Sequence, residues 1–309
     1  MYKILQAVVV LGAFLFIGIS PIVAQNEAIG MSSLKQAKLP TSNDSTLQIK
    51  GVIPFSDLNL ALQYKDNVKS LNLQNQNLTK FPIEILQFKN LEILDLSHNA
   101  LTDIPNDIAQ LQQLQFLCLN NNKLSTIPAS IGSIQTLHTL LLDENRQDFI
   151  LPAELENLNN LKYIKLSNLK TVPNYLWNMK SLENLRILNS HLAVIPSDIQ
   201  NLTQLKQICL MNNDLTEIPV ELYKLSNLDY LSVGYNKITQ INSAVNNLKK
   251  LTYFGVFGNP ISTLELSDKF INHLDFFSAW DTKLPEDYFK SLNPKSAKTQ
   301  INSSGKGIK

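Results

Sequence analysis

Only two cysteines and two tryptophans occur in this chain of 309 residues, and glycine numbers ten. So little cysteine excludes a small scaffold stapled by disulfides. No glycine-rich loop of the kind that cradles phosphates is present, no Cys-x-x-Cys pair, and no serine-centred elbow between glycines. Nucleotide-dependent, zinc-ribbon and serine-hydrolase chemistry therefore lack their usual residues. Net charge is nearly absent too: 27 basic against 26 acidic residues leave +1. That balance gives no electrostatic footprint for nucleic acid or for an anionic membrane surface.

Long apolar runs are missing except at the start, where Lys3 precedes one from Ile4 to Ile19, followed by Ile22-Val23-Ala24-Gln25. One early positive charge, an apolar segment of this length and a small residue before Gln25 predict a secretory signal peptide over residues 1–24. An uncleaved anchor is the alternative and the one route by which this chain would hold a membrane. Export to the periplasm, the cell surface or the medium is the expected fate. Residues 25–50 are rich in Ser, Thr, Asn and Lys and read as a flexible leader.

What the chain has in abundance is a 23-residue period. Leu91-Glu-Ile-Leu94-Asp-Leu96-Ser-His-Asn99-Ala-Leu101-Thr-Asp-Ile104-Pro105 returns from Leu114 to Pro128 and again from Leu205 to Pro219. Ten units fill residues 68–284, opening at Val68, Leu91, Leu114, Leu137, Leu161, Leu182, Leu205, Leu228, Leu251 and Leu274. Apolar residues occupy positions 1, 4, 6 and 11 of a unit, and Asn commonly fills position 9. Such a unit cannot bury its apolar face alone, so the units must stack. The alternation over positions 3 to 7 marks a short strand, and strands running the same way once per unit pair in parallel. Positions 3, 5 and 7, and then 8 and 10, face outward.

The Asn of position 9 can donate to and accept from backbone groups of the turn that leaves the strand. Asn99, Asn122, Asn145, Asn213, Asn236 and Asn259 are expected to form a ladder. Ile-Pro at positions 14 and 15 opens the return arm, with proline in the first turn of a short helix and Ile83, Leu86, Ile108 and Leu111 pointing inward. Before the array, residues 51–67 contain Ser56-Asp57-Leu58, with Ser56 as cap and Leu58, Ala61 and Leu62 as one helical stripe. This helix is expected to cover the first unit. Residues 285–309 are read as the remnant of a C-terminal cap and a basic tail.

These units resemble the leucine-rich repeats of the short bacterial and Ras-suppressor-like kind, and the segment from Phe55 to Leu62 is similar to the capping helix of bacterial members. The resemblance implies an α/β solenoid with a parallel sheet on its concave face, short helices or 3-10 turns on its convex face, and use as a monomeric binder of proteins or peptides. It implies neither a cofactor nor an activity. Departures from the pattern fall mid-array, where the fourth unit has 24 residues and the fifth has 21 and no Asn at its regular place.

Outward positions change character along the array. Position 7 runs from Gln74, Ser97, Asn120 and Asp143 to Leu188, Met211, Phe257 and Trp280. Position 3 adds Tyr163, Tyr230, Tyr253 and Phe276, and position 8 adds Tyr235. Tyr163, Leu188, Met211, Tyr230, Tyr235, Tyr253, Phe257 and Trp280 are the candidate binding residues, since exposed aromatics and Met mark interaction surfaces. The same rings could instead stack on one another to stabilise the sheet or its end. Carbohydrate recognition suits such a platform equally, and a purely structural envelope component would need no ligand.

No metal or catalytic set emerges. His98 and His191 are four strand spacings apart, roughly 19 Å at ~4.8 Å each, too far to share an ion. The same spacing separates Cys118 from Cys209, beyond the ~7 Å that a disulfide spans, so both are expected as free thiols. Asp143 and Glu144, with Arg146 beside them, read as a surface ion cluster rather than an acid–base pair. The sequons at Asn77 and Asn201 read as incidental to an Asn-rich composition.

Overall fold

The computed structural model describes residues 54–292 and 300–302, which fall into two compact units, residues 54–191 and residues 192–302. The expected signal peptide and leader lie outside the described residues. None of the described helices is long and apolar enough to cross a membrane.

In the first unit a short helix α1 (Leu58–Leu62) precedes six strands: β1 (Ser70–Asn72), β2 (Ile93–Asp95), β3 (Phe116–Cys118), β4 (Thr139–Leu141), β5 (Tyr163–Ser167) and β6 (Asn184–Leu188). They pair in parallel and in chain order, each position facing its equivalent in the next repeat, as in Leu71↔Leu94 and Leu94↔Leu117. The second unit continues the pattern with β7 (Gln207–Cys209) and β8 (Tyr230–Ser232). A two-residue strand β9 (Gln240–Ile241) follows, then β10 (Tyr253–Gly255), β11 (Thr263–Leu264), helix α2 (Asp268–Ile271) and β12 (Phe276–Ser278). Helix α3 (Glu286–Ser291) and β13 (Gln300–Asn302) complete the described chain.

Alternation explains the core. The residues of positions 1, 4, 6 and 11, such as Leu114, Leu117, Leu119 and Leu124, point away from the outward sheet face and are wholly buried. The return arms are single turns of 3-10 helix, for example Asn106–Gln110 and Ser197–Asn201. Proline lies one residue earlier than expected. Pro82, Pro105, Pro128, Pro152, Pro173 and Pro196 are the extended residues just before each turn, and their carbonyls accept the first turn bond, as from Ile108 N to Pro105 O at 3.1 Å. The inward stripe also needs correcting in the first repeat. Ile83 is 55% exposed, while Ile85 and Phe88, one period before Ile108 and Leu111, are wholly buried. Column alignment, rather than local spacing, decides which side chain enters the core.

At the N-terminal end the helix spans only five residues and its cap is Asp57, which accepts from Leu60 N at 3.0 Å, not Ser56. Ala61 is buried, but Leu60 and Tyr64 are exposed. Phe55 adds a single parallel bridge to Leu71 beside β1. At the other end the expected tail contains β13, which pairs with β12 as Phe276↔Gln300 and Ser278↔Asn302. This backbone pairing satisfies an edge of β12 that would otherwise stay open.

Where the return-arm proline is missing, a second small parallel sheet forms from β9 and β11. Asn242 and Glu265 stand where proline stands elsewhere, and Glu265 N donates to Ile241 O at 3.2 Å. A proline at that point has no hydrogen to give. The freed side chains then cap: Asn242 Oδ1 accepts from Ala244 N, and Glu265 Oε2 from Ser243 N.

One glycine has a packing role that composition did not reveal. A Cβ on Gly132 would stand 2.1 Å from the carbonyl oxygen of Glu154, in the next return arm. Because the obstacle is backbone, it cannot rotate aside. Gly132→Ala is expected to lower stability by about 1–3 kcal/mol through overpacking, read as a lower urea midpoint with unchanged slope. An unchanged midpoint would show that the two arms can separate freely.

Candidate binding face

Hydrogen bonds that run between repeats fix the turns that leave the strands of the outward face. Asn122 Oδ1 accepts from Leu101 N at 3.0 Å, and its Nδ2 donates to Leu96 O at 3.0 Å and to Leu119 O at 3.1 Å. Asn99, Asn145, Asn236 and Asn259 make the same bonds to their own strand and to the repeat before. Asn213 accepts from Leu192 N and donates to Leu210 O. The expected ladder is therefore present in each unit.

Its interruption is filled by residues the sequence did not single out. In the sixth repeat Ser190 stands at position 9, accepting from Leu169 N at 3.2 Å and donating to Leu188 O at 2.7 Å. In the fifth, Asn168 reaches back to Asn145 O at 3.1 Å. A hydroxyl in the Asn column was the available signal for Ser190.

A second column went unread. Position 8 has a positive φ in all ten repeats: Asn75, His98, Asn121, Glu144, Asn168, Asn189, Asn212, Tyr235, Gly258 and Asp281. Asn, Asp, His and Gly tolerate that left-handed conformation, which places their enrichment at position 8. Glu144 and Tyr235 are the two exceptions, and neither owes its presence to backbone preference.

The eight candidate residues divide between the two units. In the first, Tyr163 is 9% exposed and packs with Ile93, Phe116, Cys118 and Leu141 of the outward face, and Leu188 is buried as well. In the second, Met211, Tyr230, Tyr253 and Phe257 are buried, while Tyr235 and Trp280 are partly exposed. The openly exposed patch expected from sequence is thus reduced to two of its members. Stacking is the physical reason. Tyr230 lies on Tyr253 with centroids 4.2 Å apart and planes 12° from parallel, and Tyr253 lies on Phe276 at 5.3 Å. Phe257 stacks on Trp280 at 5.1 Å, and Tyr235 meets both rings edge-on at 5.4 and 5.7 Å. Rings one strand apart cover each other's faces.

These rings also set the space around them. A Cβ at Gly234 would fall 2.5 Å from the Phe257 ring, so position 7 of the eighth repeat is kept empty for Phe257 to lie flat.

In the first unit the expected surface ion cluster takes another form. Asp143 Oδ2 pairs with Lys165 Nζ, from the next repeat, at 2.6 Å, and both side chains are almost fully buried, at 1% and 5% exposure. Arg146 is exposed. The Asp143 amide donates to Asn120 Oδ1 at 2.7 Å and the Glu144 amide to Ser167 Oγ at 2.8 Å. Glu144 itself is half-buried, and burial together with the neighbouring Asp143 raises its carboxyl above the usual range despite Lys165. Cys118 and Cys209 are buried free thiols. Burial, with Asp95 nearby, pushes the Cys118 thiol well up, which leaves it inert as a nucleophile.

Comparison with known proteins agrees with this geometry. The family model described as "Leucine-rich repeat region" matches residues 107–195, and "Leucine rich repeat" matches residues 66–124 and 194–261. No curated protein matches the chain. Among solved structures, internalin C2 of Listeria monocytogenes is 25% identical over 62% of this chain and 81% of that one, with a TM-score of 0.54. An internalin of the same species, InlF, is 21% identical over 78% of this chain and 84% of its own, with a TM-score of 0.50. A plant peptide hormone receptor, RGFR1, solved in complex with RGF2, is 22% identical over 77% of this chain and 39% of its own, with a TM-score of 0.54.

Proposed function

Because this chain is a leucine-rich-repeat protein, a fold that typically serves as a protein-binding module, we propose that it is an exported, non-enzymatic receptor for a protein or peptide, bound on the outward face of its sheet. The aromatic part of the site is the cluster of the second unit. Buried Tyr230, Tyr253, Phe257 and Met211 form its floor, and the partly exposed Tyr235 and Trp280 form its contact edge. Tyr163 and Leu188 contribute the equivalent floor in the first unit.

The observation that carries this reading is Tyr235. Its φ of 52° is a conformation in which a bulky side chain is strained, and Asn or Gly occupies the same place in both adjacent repeats. Edge-on packing against Phe257 and Trp280 holds this partly exposed ring in one orientation, so it is presented preorganised at the contact edge. RGFR1, of the same fold, was solved with RGF2 bound to it, which supports a peptide as the ligand class.

The test compares the wild-type chain with Tyr235→Asn, which keeps a residue suited to positive φ. Both are used as bait for the native secreted and envelope fraction, and both are overlaid on peptide and glycan arrays. At least tenfold weaker capture and loss of peptide-array signal by the variant is expected. Signal confined to the glycan array would favour the carbohydrate reading, and undiminished capture by the variant would remove Tyr235 from the site.

A further inference from the structure

Position 8 of the ninth repeat is Gly258, the one glycine of the left-handed column, at a φ of 63°. The backbone alone does not require glycine there. Asn75, Asn121, Asn168, Asn189 and Asn212 take a positive φ at the same position, and Asn loses less chain entropy on folding than glycine does. A side chain is excluded at 258 for another reason. A Cβ would stand 2.5 Å from Cδ1 of Tyr235, 2.9 Å from Cε1 and 3.1 Å from Cγ. The body of the Tyr235 ring, rather than its hydroxyl tip, therefore lies on the bare backbone of the next repeat.

The neighbouring glycines share the arrangement. A Cβ at Gly255 would come within 2.9 Å of the Tyr253 ring, and one at Gly234 within 2.5 Å of the Phe257 ring. Gly258 differs in what it seats, because Tyr235 is partly exposed whereas Tyr253 and Phe257 are buried. Neither backbone is free to retreat. Tyr235 N donates to Phe257 O at 2.8 Å, and Gly258 N donates to Trp280 O at 3.0 Å. The Asn259 side chain also holds Val256 O and Phe257 O. A side chain at 258 must therefore push the ring, and with it the edge-on contacts to Phe257 and Trp280.

We propose that Gly258 is a positioning residue of the contact edge: by having no side chain it seats the Tyr235 ring where a ligand meets it. The role in binding rests on the receptor reading above; the seating itself does not. A ring already in place has less freedom to lose when a partner arrives, which favours binding. Tyr235 and Gly258, one repeat apart, act as a single device.

The test compares the full wild-type chain with Gly258→Asn, Tyr235→Asn and the double variant, Asn being suited to the backbone at both positions. In wild type, NMR should show the Gly258 α protons shifted upfield by the ring, and through-space cross-peaks from Tyr235 to Phe257 and Trp280. Gly258→Asn should lose those cross-peaks. Binding to the array peptides that wild type retains should weaken at least tenfold in Gly258→Asn, and no further in the double variant than in Tyr235→Asn. The melting temperature should fall in Gly258→Asn, but not when the same substitution is added to Tyr235→Asn, where the ring is gone. A fall of equal size in both backgrounds would trace the glycine to its backbone and overturn the assignment. Unchanged ring contacts in Gly258→Asn, or undiminished peptide binding once those contacts are lost, would overturn it as well. Ring contacts that respond as expected in a wild-type chain that retains no peptide would support the seating and remove the receptor reading instead.

Discussion

Asn122→Ala is expected to lose about 3–4 kcal/mol of stability. Oδ1 of Asn122 is the acceptor for the buried Leu101 amide, and its Nδ2 serves Leu96 O and Leu119 O. The two carbonyls keep a second donor in Asn99 and Asn145, so their loss is modest. The Leu101 amide keeps none. An orphaned buried donor costs about 1–3 kcal/mol and each lost bond about 0.5–1.5 kcal/mol. The damage crosses a repeat boundary, because Leu96 and Leu101 belong to the second repeat and Asn122 to the third. In a stacked array, stability is close to a sum of repeat and interface terms, so a broken interface is felt by the whole unit. Urea unfolding followed by circular dichroism measures the shift. A loss below about 1 kcal/mol would mean that apolar stacking alone couples the repeats and that the ladder is incidental.

That prediction draws on the part of the molecule most legible from sequence. A period of 23 residues places Leu71, Leu94 and Leu117 in one column, and the pairing of their strands follows without any long-range guess. The ladder was legible for the same reason: one residue type at one phase has one geometry. What escaped was whatever depends on contacts across columns. Ile83 looked inward by local spacing and proved exposed, because Ile85 and Phe88 occupy the core columns. The left-handed column at position 8 could have been read from its Asn, Asp, His and Gly content, yet its meaning lies in the exceptions Glu144 and Tyr235, which a search for apolar periodicity passes over. Of the aromatic site, the residue types and their shared face were legible. Their mutual coverage was not, since ring stacking at 4.2 Å is a packing outcome that spacing alone leaves open.

The Asp143–Lys165 pair shows the same limit and carries the other large effect. Sequence proximity suggested Arg146 as the cation of this cluster, but register across the sheet selects Lys165, two positions before the column of Asp143 in the following repeat. Lys165→Met is expected to cost about 3–5 kcal/mol, because it leaves a buried carboxylate without its counter-ion while filling the same volume. Among the described residues no second cation pairs with Asp143. A purely steric effect of the substitution would not depend on pH, so the pH profile identifies the cause. In Lys165→Met the deficit comes from an uncompensated buried charge, so it is expected to be full at neutral pH and to shrink in acid, where protonation removes that charge. Adding Asp143→Asn should recover at least half of the loss at neutral pH, a coupling readable by a double-mutant cycle. A deficit that is flat with pH and unrelieved by Asp143→Asn would mean that the pairing with Asp143 is not what Lys165 contributes to stability.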